Sequence, residues 1–101
     1  MKNTFVAISS AGANRDPSKG AREQPFWDEH AAFIDRLVEE GFIFMGGPLL
    51  DQRGMPEGAL LILKAEDENE VREKLKNEPW FQKGILKLES VNRWEIFIDE
   101  R

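Results

Sequence analysis

His30 is the only histidine among the 101 residues, and it lies within an apolar pattern. Side chains three and four positions apart share one face of a helix. The residues that recur at this spacing around His30 are Phe26, Phe33, Ile34, Leu37 and Val38. The pattern therefore predicts that His30 faces the core. A histidine in this position has two interpretations. It is either a packed core residue with one ring nitrogen hydrogen-bonded, or an acid/base group at the floor of a pocket.

Cations precede this helix. Residues 11–23 are small, charged or helix-breaking, which predicts a long loop. The loop carries Arg15, Lys19 and Arg22. Loops of about a dozen residues within a compact domain are often functional or disordered. This loop is therefore either a solvated tether or a lid that presents cations to an anionic substrate.

Two further stretches are candidates for a pocket wall. Gly46 and Gly47 precede Pro48 and are expected to end the second strand. They form either a plain strand end or a wall where a ligand approaches the backbone closely. Trp80 and Phe81 follow the proline that stops the second helix. Because aromatic rings are costly to leave in water, we expect them to pack against the sheet or first helix, or to cover a cavity.

The elements that must position these residues follow from periodicity and from start and stop signals. Gly41 is the expected residue after the first helix, and Asp67 is the expected N-cap of the second. The last strand is long, so we expect a bend near residues 90–92. The predicted strands are 4–10, 42–45, 58–65 and 84–99, and the predicted helices are 25–40 and 67–77.

The element order predicts a fold. Strand, helix, strand, strand, helix, strand is the βαββαβ order of a ferredoxin-like α+β domain. Such a domain has a four-stranded antiparallel sheet with both helices on one face. The opposite face would be bare and apolar, and a bare apolar face calls for a partner. A homodimer through the open sheet face is the simplest arrangement.

Composition limits the function classes. The length predicts a single domain, residues 1–101. The absence of cysteine excludes disulfides, thiolate metal sites and cysteine nucleophiles, and one histidine with scattered carboxylates predicts no metal site. A net charge of −5 without a basic stripe argues against nucleic acid and anionic membranes. With no signal peptide and no apolar run long enough for a membrane span, we expect a cytoplasmic protein.

Four features resemble the YCII-related family of small dimeric α+β-barrel proteins. The first is a histidine on the first helix followed by an aromatic residue, and the second is a Gly-Gly-Pro-Leu run. The third is an acidic residue before Pro and an aromatic residue, and the fourth is a tryptophan in the final strand. In this sequence they are His30 with Phe33, Gly46 to Leu49, Glu78-Pro79-Trp80, and Trp94.

The resemblance implies roles for individual residues. The family is thought to include enzymes in which a histidine and an aspartate form a catalytic pair. One branch resembles muconolactone isomerases and dehalogenates chlorinated muconolactones. The histidine falls on His30, and the aspartate falls on Glu78, which keeps the charge but is one methylene longer. Asp28 and Asp35 are alternative partners of the ring, although both are expected to face solvent.

Three functional hypotheses remain open. The first is an enzyme without metal or organic cofactor, in which His30 is the general acid or base and Glu78 orients the ring. It would isomerise, eliminate from or hydrolyse a small carboxylate or lactone in contact with Trp80. The backbone of Gly46 and Gly47, or the cations Arg15 and Arg22, would receive its negative charge. The second hypothesis is a dimeric module that binds a small ligand without turnover. In the third, the dimer itself is the functional product and His30 is structural.

Overall fold

A computed structural model describes residues 2–101, and its four strands form one antiparallel sheet in the order β2-β3-β1-β4. This order confirms the ferredoxin-like α+β prediction. A 3-10 turn, Ala21–Glu23, precedes α1, and a short helix, α3, follows α2. The elements are β1 (Asn3–Ala11), α1 (Trp27–Glu39), β2 (Ile43–Leu50), β3 (Pro56–Ala65), α2 (Glu68–Lys76), α3 (Pro79–Gln82) and β4 (Leu86–Arg93).

The core lies between the helices and one face of the sheet. Alternate residues of a strand point to opposite faces, and directly opposed residues of antiparallel strands share a face. Phe5 of β1 is opposite Leu63 of β3, and both are buried. Val71 and Leu75 of α2 lie one turn apart and complete this packing. The sheet therefore covers its helix-facing side with a conventional apolar core.

Local signals explain where α1 ends and where α2 begins. After α1, the N–H of Gly41 donates to Val38 O and the N–H of Phe42 donates to Leu37 O, each at 3.0 Å. Gly41 has φ +78°, so this is the Schellman arrangement that favours glycine. Before α2, the Asp67 carboxylate accepts from the N–H of Glu70 at 2.9 Å. The predicted glycine stop and N-cap are both confirmed.

The prediction that Gly46 and Gly47 end the second strand is wrong. Strand β2 continues through Pro48 to Leu50 and stays paired with β3. An irregularity in register lies earlier, at Phe44, between Ile43 and Met45. Because β2 is an edge strand, proline can be accommodated without loss of a ladder hydrogen bond to a second neighbour.

The last strand is shorter than predicted. β4 ends at Arg93, and residues 94–101 form no regular element. The pairing with β1 shifts register at Glu89, which has no opposite residue, one position before the predicted bend. Beyond β4, the N–H of Trp94 donates to Thr4 O at 2.8 Å, and the following residues line a small cavity of about 200 Å³ beside Ile62.

Two residues of the predicted core-facing stripe are exposed, contrary to expectation: Phe26 and Val38. Phe26 precedes the helix in the left-handed region, with φ +65°, so helical spacing does not apply to it. Val38 does lie on the stripe, but that stripe borders a cavity at this point. No helix within residues 2–101 has the length and apolar character needed to cross a bilayer.

Candidate functional site

The carboxylate of Glu78 contacts the ring of His30. The distance between Glu78 Oε1 and His30 Nδ1 is 2.7 Å, although the two residues are 48 positions apart in sequence. Glu78 is the N-cap of α3, and the same oxygen accepts from the N–H of Trp80 at 3.2 Å. The Glu78 side chain is 0% exposed and the His30 side chain is 16% exposed. The cap therefore places a buried acceptor against one ring nitrogen.

The contact determines the state of the neutral ring. When Glu78 is ionised, its carboxylate can only accept, and Nδ1 then carries the proton and donates it to Glu78. Among residues 2–101, His30 Nε2 has no hydrogen-bond partner. Nε2 of the neutral ring is then the free basic nitrogen. Glu78 Oε2 is buried and likewise has no partner among the described residues.

Two indole rings hold the imidazole in place. Trp80 stacks on His30 with ring centroids 3.8 Å apart and an interplanar angle of 7°. Its Nε1–H donates to Pro25 O at 2.9 Å, which ties α3 to the residue before the turn into α1. Trp27 lies 5.7 Å from both rings in a tilted arrangement. One ring face and one ring nitrogen of His30 are thus occupied.

These groups border a cavity of about 380 Å³ between α1 and the helix-covered face of the sheet. This volume is in the range of small-molecule sites, roughly 300–1,000 Å³. Trp27, His30, Ile34 and Val38 recur at helical spacing along α1 and line one wall. The lining is mostly apolar. Its polar or charged side chains are Ser9, Arg15, Gln24, His30 and Glu78.

Arg15 is the cation that lines the cavity. Its Nη1 donates to Pro56 O at 2.8 Å. Within residues 2–101 no carboxylate forms a salt bridge with Arg15. A half-buried guanidinium with only a carbonyl partner retains donors and charge for an anionic ligand.

The other predicted site residues are partly brought together. Gly46 and Gly47 line the cavity as part of β2, and a Cβ on Gly46 would lie 2.7 Å from Leu61 Cδ2. Trp80 lines it as well. Arg22 is exposed on the 3-10 turn and is not among the lining residues. Asp28 and Asp35 are exposed, as expected, and the carboxylate that contacts His30 is that of Glu78.

Sequence reasoning missed Gln24, Trp27 and Ser9. Gln24 lies among loop residues, and no local spacing distinguishes a buried amide there from a solvated one. Trp27 does have a signal, since it lies three residues before His30 on the same helical stripe. Among the described residues, no cluster of three or more histidine, aspartate or glutamate side chains is arranged to hold a metal ion.

Comparisons with known proteins agree with this architecture. The model of the YCII-related domain matches residues 7–95. A solved structure of similar fold is the 5-chloro-2-hydroxyhydroquinone dehydrochlorinase of Burkholderia phenoliruptrix AC1100, in complex with 2,5-dihydroxybenzoquinone. It is 27% identical, with a TM-score of 0.60, over 91% of this chain and 93% of the other. No curated protein matches the chain significantly.

Proposed function

Because the chain belongs to the YCII-related family, we propose that it is an enzyme in which His30 transfers a proton to or from a small molecule bound in the 380 Å³ cavity. The observation that carries this proposal is the contact of Nδ1 with buried Glu78. That contact leaves Nε2 as the basic nitrogen of a ring stacked on Trp80. A carboxylate that accepts from the first nitrogen and leaves the second for chemistry is the arrangement of acid/base histidines in hydrolases.

The reaction needs only these groups. Nε2 accepts a proton from a carbon or oxygen of the substrate, and the electron pair of that bond forms a new double bond. In an elimination, a halide leaves with its bonding electrons, and the imidazolium then returns its proton to solvent. In an isomerisation, the proton returns to a different carbon. Glu78 stabilises the imidazolium between these steps, because a buried anion next to a cation lowers its energy.

Arg15 and the cavity limit the substrate. Negative charge develops on a carbonyl oxygen when the neighbouring proton leaves, and an unpaired guanidinium is suited to receive it. The apolar lining and the indole rings favour a flat ring. The similar enzyme acts on a chlorinated hydroxyhydroquinone and binds a dihydroxyquinone, both flat rings with acidic oxygens. We therefore propose a small planar carboxylate, lactone or acidic hydroxy-ring as substrate, with no organic cofactor.

The exposed apolar side chains of the segment after β4 support a homodimer as part of the proposal. Phe97 and Ile98 follow β4 and are 87% and 81% exposed. Exposed apolar groups of this size favour burial against a second copy. Sedimentation should give twice the chain mass at about 10 μM, and the double variant Phe97→Asp with Ile98→Asp should give the chain mass. A monomeric native protein would contradict this part of the proposal.

The enzymatic proposal is tested with the two compounds named for the similar structure. Chloride release from 5-chloro-2-hydroxyhydroquinone and binding of 2,5-dihydroxybenzoquinone are measured for the native chain and for His30→Gln. We expect His30→Gln to lower turnover by about 10²-fold or more while the Kd for the quinone changes little. Asp28→Asn, an exposed carboxylate on the same helix, is the matched control.

Each other outcome has a defined meaning. Binding without chloride release favours a ligand-binding module, or an enzyme for another member of the same ligand class. Turnover that survives His30→Gln contradicts the assigned proton transfer. Neither binding nor turnover contradicts the proposed ligand class.

A further inference from the structure

The segment 12–23, named the arm below, leads from β1 toward α1. It is held by hydrogen bonds to two groups outside it, the chain after α3 and the side chain of Gln24. At its first end, the N–H groups of Gly12 and Asn14 donate to Ile85 O and Gly84 O, each at 2.8 Å. The Asn14 side chain donates to Lys83 O at 2.8 Å. These three carbonyls directly follow α3, the helix that carries Trp80. The arm is thus hydrogen-bonded to the chain just after α3, the helix whose N-cap is Glu78 and which carries Trp80.

Glycines make this first attachment close. A Cβ on Gly12 would overlap the carbonyl oxygen of Gly84. Gly84 has φ +75°, a conformation that glycine adopts without strain, and a Cβ there would lie 2.7 Å from Asn14 Nδ2. The absence of side chains at Gly12 and Gly84 therefore allows the backbone of the arm to hydrogen-bond directly to the backbone after α3.

Gln24 makes the second attachment. Its side chain is 4% exposed, and its amide is satisfied entirely by the arm. Oε1 accepts from the N–H of Asp16 at 3.0 Å. Nε2 donates to Asp16 O at 2.7 Å and to Lys19 O at 3.0 Å. Both backbone groups of Asp16 are therefore held by one buried side chain.

Arg15 lies between the two attachments. Asn14 on one side is held by the chain after α3, and Asp16 on the other side is held by Gln24. The N–H of Arg15 itself donates to Gly12 O at 3.2 Å. A backbone fixed on both sides of a residue limits the directions that its side chain can take. This leaves the guanidinium at the cavity, against Pro56 O.

We propose that Gln24 is a positioning residue that acts through Asp16 to hold Arg15 at the cavity, so that the arm is a fixed wall with a charge and not a lid. This inference rests on the proposed function, since it assigns to Arg15 the binding of a substrate anion. Gln24 itself need not touch the substrate. Its effect is expected on the preference for charged over neutral ligands and not on binding of the ring.

Benzoate and benzamide provide the test, because they share a flat ring and differ in charge. Titrations followed by the indole N–H resonances give a Kd for each compound. We expect the native protein to prefer benzoate, and Arg15→Gln and Gln24→Ala each to lower that preference at least threefold, with the Kd for benzamide within twofold of native. Gln52→Ala removes an exposed glutamine outside the cavity and should change neither value. A merely structural role of Gln24 would weaken both ligands equally.

Amide hydrogen exchange measures how firmly Asp16 is held, and it requires no ligand. The N–H of Asp16 should exchange at least tenfold faster in Gln24→Ala than in the native protein, and at the native rate in Arg15→Gln. Folded Gln24→Ala with the native benzoate preference overturns the inference. If Gln24→Ala does not fold, Asn14→Ala weakens the other attachment, because it removes the side-chain hydrogen bond to Lys83 O from an exposed position. It should lower the preference about twofold, and an unchanged preference again overturns the inference.

Failure of the proposed function is recognised separately. If Arg15→Gln leaves the benzoate preference unchanged, Arg15 is not the anion site, and the inference about Gln24 is overturned together with that role. If the native protein binds neither compound, the cavity does not take this ligand class, and both proposals are overturned.

Discussion

The helix-covered face of the sheet has a filled end, around Phe5 and Leu63, and a hollow end, around Ser9 and Ala59. Near α2, Phe5 and Leu63 are opposed and buried, and the helix packs directly on them. Four residues further along the same strands, and on the same face, Ser9 is opposite Ala59, and the space above them is the cavity. Side-chain size falls along both strands in the same direction. The cavity therefore follows from side-chain size along two regular strands and needs no change in backbone.

The polar groups follow the same division. The filled end holds only apolar side chains in its core cluster. The hollow end holds a buried carboxylate, a stacked imidazole and a guanidinium. A buried carboxylate costs free energy unless it is hydrogen-bonded or paired, and one oxygen of Glu78 is neither. The filled end therefore contributes stability, whereas the unpaired groups at the hollow end cost it, which agrees with the binding and catalytic role proposed for them.

The largest expected effect comes from hollowing the filled end. Leu63 is fully buried, so Leu63→Ala should lower the free energy of unfolding by about 3 kcal/mol, as burial is lost and a void remains. Urea denaturation measures this change. Leu50→Ala, on an exposed leucine of β2, is the matched control and should cost about 0.5 kcal/mol or less. Equal costs for the two variants would contradict the comparison.

The next effect comes from filling the hollow end. Ala59→Leu adds three carbons where the cavity has room, so its cost in unfolding free energy should stay below about 1.5 kcal/mol. The same carbons occupy the ligand volume, and we expect at least a tenfold higher Kd for benzamide. Ala32→Leu, on the exposed side of α1, should leave the Kd unchanged. Unaltered binding in Ala59→Leu would show that ligands use another surface.

Glu78 can be divided into its hydrogen bonds and its charge. In Glu78→Gln the amide oxygen can still accept from His30 Nδ1–H and from the N–H of Trp80, but the negative charge is gone. Glu78→Leu removes both, along with an N-cap worth about 1 kcal/mol. In ¹⁵N spectra, the Nδ1–H tautomer should persist in Glu78→Gln and become mixed in Glu78→Leu.

Turnover sharpens that result. If charge stabilises the imidazolium, Glu78→Gln should lower turnover at least tenfold despite a native tautomer. Full turnover in Glu78→Gln would mean that orientation alone is needed. A native tautomer in Glu78→Leu would contradict the role of the carboxylate in fixing the ring.

Features that depend on neighbouring residues could be predicted from the sequence, whereas features that depend on distant contacts could not. Helix ends and strand positions depend on near neighbours, so Gly41, Asp67 and the apolar run within 58–65 were sufficient to predict the glycine stop, the N-cap and β3. The continuation of β2 through Gly46-Gly47-Pro48 depends on a partner strand that is distant in sequence. From the local sequence alone, Pro48 predicts the end of a strand. Its position at the edge of the sheet is what makes it compatible with one.

The candidate site was less accessible to prediction for the same reason. His30 was suggested by periodicity, but no local pattern connects it to a carboxylate 48 residues away, and Glu78 came from the family resemblance. Gln24 has no sequence signal, because its burial is created by the arm that folds over it. Long-range contacts that satisfy polar groups are visible only once the chain is folded.

The smallest expected effect concerns the turn that joins β2 to β3 beside the hollow end. Hydrogen bonds from the N–H groups of Met55 and Arg53 hold the pKa of Asp51 below its ordinary value. A group with a lowered folded pKa stabilises the fold above its unfolded pKa, about 3.9, and loses that contribution as pH falls through the folded value. Asp51→Asn should therefore be slightly less stable than native at pH 7, and the difference should shrink below about pH 4.

Urea denaturation at both pH values measures this difference in stability, with Glu57→Gln as an exposed control on β3. Because Pro56 follows this turn and accepts from Arg15, a native benzoate preference in Asp51→Asn would show that the arm holds the guanidinium without help from the turn.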